Sequence, residues 1–120
     1  MQNFKKLEIW QQSMDVAKQV YLASDRLPNS ERFGLVNQMR RAAVSVPSNI
    51  AEGSGRLTAP DFRHFLAVAL LSSNELTTQV ILSEMLNYLP GDLSLDLQDK
   101  LDKNQRMIYK FIQSVNRNIK

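Results

Sequence analysis

The chain has 120 residues, 43% of them hydrophobic, which suits one compact domain burying roughly two thirds of its unfolded surface. It contains no cysteine, which excludes disulfides, thiolate metal sites and cysteine nucleophiles, and its formal net charge is only +3. That charge is unevenly spread: residues 66–99 hold five Asp/Glu and no Lys/Arg, whereas residues 100–120 hold six Lys/Arg and one Asp.

The opening MQNFKKLEIWQQ has two lysines but no apolar stretch long enough for a signal peptide. The longest apolar run, Phe65 to Leu71, is far shorter than the ~20 residues that span a bilayer. The expectation is a cytoplasmic protein with no membrane partner. Leu7, Trp10, Met14, Ala17, Val20 and Tyr21 keep the three-and-four rhythm of an apolar helix face, which predicts a first helix over about 8–26. After Leu27-Pro28, Asn29 or Ser30 can cap a second helix over about 31–52, which ends at Gly53 because glycine adopts the left-handed termination without strain. Pro47 sits inside this helix, where it removes a backbone hydrogen bond at a cost of ~3 kcal/mol unless neighbours compensate.

Thr58-Ala59-Pro60-Asp61 is a helix start: Thr58 caps, and Pro60 is harmless in the first turn. The third helix, over about 59–88, carries only Glu75 as a charge between Leu66 and Ser83, although a helix with a wet outer face ordinarily carries several. Its outer stripe, Ala67, Leu71, Asn74 and Thr78, either packs on another subunit or lies inside a broadly buried helix, and self-association is the favoured reading. Leu97, Leu101, Ile108, Phe111, Ile112, Val115 and Ile119 predict a fourth helix over about 94–118. No segment alternates with a two-residue period. The expected fold is all-α, one domain over residues 1–120, an antiparallel up-down-up-down four-helix bundle with short connections.

Little in the chain supports catalysis, and the expectation is a non-enzyme without metal or cofactor. His64 is the single histidine; with Asp61 it makes a carboxylate-x-x-His pair, but di-iron bundles need two histidines and several inward glutamates. No strand-to-helix Gly-x-Ser-x-Gly turn is present, and Glu52, Glu75 and Glu84 are not shown by spacing to converge. Gly53-Ser54-Gly55-Arg56 lacks the phosphate-loop lysine pattern and is explained by helix termination. Gln38, Arg41, Ser45, Ser48 and Glu52 form a polar stripe on the second helix. It faces solvent, a partner or the polar patch around Ser72 and Glu75, and Arg40 or Arg41 is expected to pair with Glu75 inside the bundle or at a subunit contact.

Lys103, Arg106, Lys110, Gln113, Arg117 and Lys120 align on one face of the last helix. A charged outer face is commonly just solvation, but only Asp102 interrupts the positive sign, and a one-sign ribbon suits a polyanion. No aromatic residue is expected to interleave these charges on that face, so single-strand stacking is not indicated. The candidate nucleic-acid-binding residues are Lys103, Arg106, Lys110 and Arg117, with Arg40 and Arg41 either structural or binding.

The segment FGLVNQMRRAAVSVPSNIAEGSGR resembles the signature of the four-helix-bundle proteins encoded in 23S rRNA intervening sequences. The opening Phe4-Lys5-Lys6-Leu7-Glu8-Ile9-Trp10-Gln11 and the positions Phe62, Phe65, Ala69, Ser72 and Glu75-Leu76 extend the likeness over nearly the whole chain. The resemblance implies a bacterial four-helix bundle assembling as a homopentameric ring. More distantly the chain is similar to the accessory variability determinant of diversity-generating retroelements, which implies binding of RNA or DNA, or a scaffold role docking a partner such as a reverse transcriptase.

Overall fold

A computed structural model describes residues 3–117, which form four α-helices and, among the described residues, no strand. They are α1 (Glu8–Ser24), α2 (Leu35–Ser54), α3 (Ala59–Met85) and α4 (Gly91–Arg117), with 3-10 turns at Phe4–Lys6 and Asn29–Glu31. Ile119 and Lys120 lie outside the described residues. Helix α1 packs on α2 and α4, and α3 packs on the same two, so the four helices surround one core. That core contains Val16 and Val20 from α1, Met39, Val46 and Ile50 from α2, Leu66, Leu76 and Val80 from α3, and Leu97, Leu101 and Ile108 from α4.

The buried face of α1 is rotated from the expected one. Ile9, Val16, Val20 and Ala23 are inside, whereas Met14 and Tyr21 are exposed. Both line an apolar groove of about 490 Å³ between α1 and α2, walled across from them by Val44, Pro47 and Ala51. Ser13 explains the rotation. Its hydroxyl is polar, yet it is buried and donates to the Ile9 carbonyl at 2.6 Å, so a small polar residue occupies a core position.

Helix α2 starts later than its sequence signals indicate. Asn29–Glu31 form a separate turn, and Gly34, at φ −105° and ψ −108°, breaks the path before Leu35. Glu31 joins the pieces: its carboxylate accepts from the Leu35 amide at 3.3 Å and from the Tyr88 hydroxyl at 3.1 Å. The bond to Glu31 holds the Tyr88 phenol above its ordinary value, with desolvation and the glutamate charge adding to it. Pro47 is buried within an unbroken α2. Close to it, Asn49 donates to the Ser45 carbonyl at 2.8 Å, and Ser45 shares a 2.8 Å hydroxyl hydrogen bond with Ser72, which ties this part of α2 to α3.

Gly53 does not terminate α2 through a left-handed conformation. The helix continues to Ser54, and no described glycine has positive φ. Gly53 is needed for closeness: a Cβ there would sit 2.8 Å from Phe65 Cβ and 3.3 Å from the Phe62 carbonyl oxygen. The left-handed residue is instead Asn87, at φ 61°, just after α3. Tyr88 N–H reaches the Ser83 carbonyl at 2.8 Å and Asn87 N–H reaches that of Glu84 at 2.9 Å, the paired bonds of a Schellman termination. At the other end of α3, Thr58 accepts from the Asp61 amide at 3.3 Å. By length and composition α3 is apolar enough to cross a membrane, with a mean hydropathy of 1.4 over its most apolar stretch. Here its Leu66, Ala69, Leu76 and Val80 are buried against α2 and α4.

A polar cluster links three helices through the core. Asn104 of α4, 1% exposed, donates to Ser13 Oγ at 2.8 Å and to Gln12 Oε1 at 2.6 Å, both on α1. Its own carbonyl oxygen accepts from Ser73 Oγ of α3 at 2.7 Å. Gln12 reaches on to the Lys100 carbonyl at 3.2 Å, and Gln105 bonds the Ser73 carbonyl at 3.1 Å and Thr77 Oγ1 at 2.9 Å. Every capacity of the Asn104 amide except one acceptor lone pair is used. Buried amides matched this fully fix axial register at little net gain in stability.

Two substitutions test this packing by denaturant melting. Asn104→Ala removes one partner and strands the others, and is expected to cost about 2–4 kcal/mol. The combined Ser13→Ala, Ser73→Ala and Asn104→Leu chain, with both buried hydroxyl partners removed together and the half-buried Gln12 free to turn to water, is expected to return to within about 1 kcal/mol of the original. Gly53→Ala would normally strengthen a helix by up to about 1 kcal/mol; here it is expected to destabilise by about 1–3 kcal/mol, because the α2–α3 backbones must part.

Candidate nucleic-acid interface

The rotation of α4 decides what its outer side presents. Ser94, Leu97, Leu101, Asn104, Ile108 and Val115 are buried, at the three, four and seven spacing of one helix face. The opposite side is charged and changes sign along its length. Asp92, Asp96 and Asp99 are exposed in the first half, and Lys103, Arg106, Lys110 and Arg117 in the second. This order places carboxylates toward the positive end of the helix dipole and cations toward the negative end.

Not all of the cations are equally available. Arg106 lies 2.9 Å from Asp102, with the two side chains 71% and 63% exposed, and Lys100 lies 3.0 Å from Asp96. Exposed pairs of this kind contribute only about 0.3–0.5 kcal/mol and are readily exchanged for another anion. Among the described residues, Lys103, Lys110 and Arg117 have no carboxylate within 4.0 Å. Lys110 also borders a shallow groove of about 370 Å³ with Glu8, Ile9, Met107 and Phe111. Lys120, the last member of the expected stripe, falls outside the described residues.

Two residues that the sequence reading passed over belong to this surface. Arg63 of α3 donates to Asn116 Oδ1 at 3.4 Å, which sets a further guanidinium beside the Arg117 turn. Tyr109 is 55% exposed. It lies three residues after Arg106 and four before Gln113, so an aromatic ring does interleave with the basic residues. The signal was the 106, 109, 113, 117 spacing, hidden by the alternative stripe through Lys103 and Lys110.

The two arginines of α2 separate into different roles. Arg40 donates to Ser24 Oγ at 2.9 Å and to Asp25 Oδ1 at 2.7 Å, and stacks 4.8 Å over the Tyr21 ring, locking the end of α1 to α2. Inside the chain neither arginine pairs with Glu75, contrary to expectation. Glu75 accepts from Gln79 Nε2 at 3.2 Å on its own helix. Arg41 is exposed and lines a polar groove of about 410 Å³ with Asn37, Ser45, Ser72 and Glu75, all four side chains on α2 or α3. Within the chain Arg40 takes Asp25 as its partner, a residue outside α2 and so invisible to helical spacing on it.

Other candidates are accounted for by their own neighbours. His64 is exposed and packs edge-on to Phe65 at 5.5 Å, and the described residues include no group of three His, Asp or Glu arranged for a metal. Arg56 pairs with Glu52 at 2.7 Å and stacks 4.5 Å over Phe65, while Ser54 Oγ donates to the Ala51 carbonyl.

The described residues thus form an all-α protein of four packed helices, with one polar cluster in the core and its charged groups on the surface. The chain belongs to the family of 23S rRNA-intervening sequence proteins, whose model matches residues 5–110. It is similar to a crystal structure of a protein with unknown function of the S23 ribosomal protein family from Bacteroides thetaiotaomicron. That structure has a TM-score of 0.81 at 20% sequence identity, with 87% of this chain and 97% of the other covered. No curated protein matches the chain. The retroelement resemblance gains no support from either match.

Separate roles for the two arginines are measurable by thermal or denaturant melting. Arg40→Ala is expected to cost about 1–2 kcal/mol through the lost hydroxyl, carboxylate and ring contacts. Arg41→Ala is expected to stay within about 0.5 kcal/mol of the parent.

Proposed function

We propose that the protein is a non-catalytic bundle that binds RNA or DNA through phosphate contacts on the second half of α4. The observation that carries this reading is the exposure of Lys103, Lys110 and Arg117 on one helix with no carboxylate within 4.0 Å among the described residues. Arg106 adds a fourth cation that its weak pair with Asp102 leaves exchangeable. Arg40, held by Ser24, Asp25 and Tyr21, is the weaker candidate, and Arg41 is an exposed candidate on a different face. An antiparallel up-down-up-down arrangement is supported by the order of contacts: Arg63 with Asn116 and Ser73 with Asn104 on α3 and α4, Ser45 with Ser72 and Met39 with Ser83 on α2 and α3.

Self-association, to a homopentamer on the family resemblance, is supported by the uncharged outer stripe of α3. Leu71 is 66% and Met85 73% exposed there, with Asn74 and Thr78 between them. A second reading, a scaffold that docks a partner protein, is favoured by the apolar α1–α2 groove around Met14, Tyr21 and Pro47.

Anisotropy titrations of labelled RNA and DNA decide between them. With three phosphate contacts per chain, affinity is expected to fall about 20- to 40-fold between about 50 and 200 mM salt, and more steeply if several copies contribute. Replacing Lys103, Lys110 and Arg117 together by Gln is expected to flatten that slope. A flat response in the unmodified protein would discard phosphate binding, and a protein partner retained at high salt would favour the scaffold.

A further inference from the structure

The aromatic side chains of this protein are nearly all engaged. Phe4 packs on Trp10, Phe62 on Phe111 and Phe65 on His64. Phe33, Tyr21 and Phe65 lie under Arg32, Arg40 and Arg56, and Tyr88 bonds Glu31. Tyr109 alone, among the described residues, has neither a ring, a guanidinium nor a hydrogen-bond partner, and more than half of it faces solvent. An unengaged ring on an ordinary solvated helix face would mean little. This one is set in the most basic part of the chain.

Its position on α4 follows from two contacts to α3. Gln105, one turn earlier, bonds Ser73 and Thr77, and Asn116, two turns later, bonds Arg63. Tyr109 therefore stands on the α3-facing border of the outer surface of α4. Arg106 lies one turn before it, Gln113 one turn after, and Arg117 and Arg63 together at the far end. From Arg106 to Arg117 the helix advances about 16 Å. Asp102, seven residues before Tyr109 and so on the same helix face, closes the patch at its N-terminal end, paired with Arg106.

We propose that this surface takes single-stranded nucleic acid, with one base stacked on Tyr109 and the flanking phosphates held by Arg106, Arg117 and Arg63. The inference rests on the phosphate-binding reading above and specifies its ligand. A flat ring offered between guanidinium groups needs a base with a free face. Single strands present such faces, whereas a duplex keeps its bases stacked on one another. Gln113 supplies a donor and an acceptor beside the stacked base without adding charge.

The test compares a labelled oligouridylate of about 15 nucleotides with an RNA duplex of equal length, at one fixed salt concentration. Tyr109→Ala is expected to weaken oligouridylate binding about 5- to 100-fold while changing duplex binding less than about twofold. Tyr109→Phe keeps the ring and is expected to bind within about threefold of the parent. Melting of each variant checks that the fold is intact. If Tyr109→Ala leaves oligouridylate affinity unchanged, or weakens the duplex equally, the stacking proposal is overturned. Binding of both nucleic acids with a silent Tyr109→Ala, together with the salt dependence of the earlier titration, keeps the phosphate reading and removes only this one. Binding of neither removes both.

Discussion

The amide of Asn104 sets the geometry on which the surface of this protein depends. A side chain that binds Ser13 and Gln12 on one helix and Ser73 on another admits one rotation of α4. Turning α4 by one residue would swing its side chains by about 100°, leaving a buried amide without partners and moving Leu101 and Ile108 out of the core. Such a change would also carry the cations of the outer side toward α1 or α3. Burial of one polar group inside thus determines the placement of several charged groups outside. The hydrophobic residues alone specify this less sharply, because aliphatic side chains tolerate small rotations at modest cost.

Helix α2 shows how two unfavourable residues become useful in context. Pro47 weakens the helix that contains it, but its ring faces α1 and forms part of an apolar wall. Gly53 gives up packing surface, and in return the backbones of α2 and α3 come close enough for Phe62 and Phe65 to close over the junction. Arg40 then fastens the opposite end of α2 to the end of α1 through Asp25, Ser24 and Tyr21. The segment that looks least suited to a solvated helix is therefore the one with the most demanding neighbours on both sides.

The all-α class, the capped start at Thr58 and the apolar face of α4 were legible because they depend on residues within a turn or two of each other. The misreadings share a different cause. Asp25 as the partner of Arg40, and Ser13 as the partner of Asn104, are set by folding, not by local spacing; the second pair is separated by 91 residues. Gly53 carried a local signal for termination that close packing overrode. The α1 face was misplaced because Met14 and Tyr21 count as hydrophobic in any periodicity, while the buried Ser13 does not. For the surface, Lys103, Arg106, Lys110 and Arg117 were visible as a periodic set. Tyr109 and Arg63 were missed because one hid behind a second stripe of the same period and the other lies on a different helix.

The sign change along α4 gives the outer side of that helix two unlike halves. On this helix Asp92, Asp96 and Asp99 oppose in the first half the anion that Lys110 and Arg117 favour in the second. On the proposed phosphate-binding reading, a long polyanion would cross α4 near its second half instead of lying along the whole helix. Each chain would grip a short footprint, leaving the rest of the polymer clear for neighbouring copies.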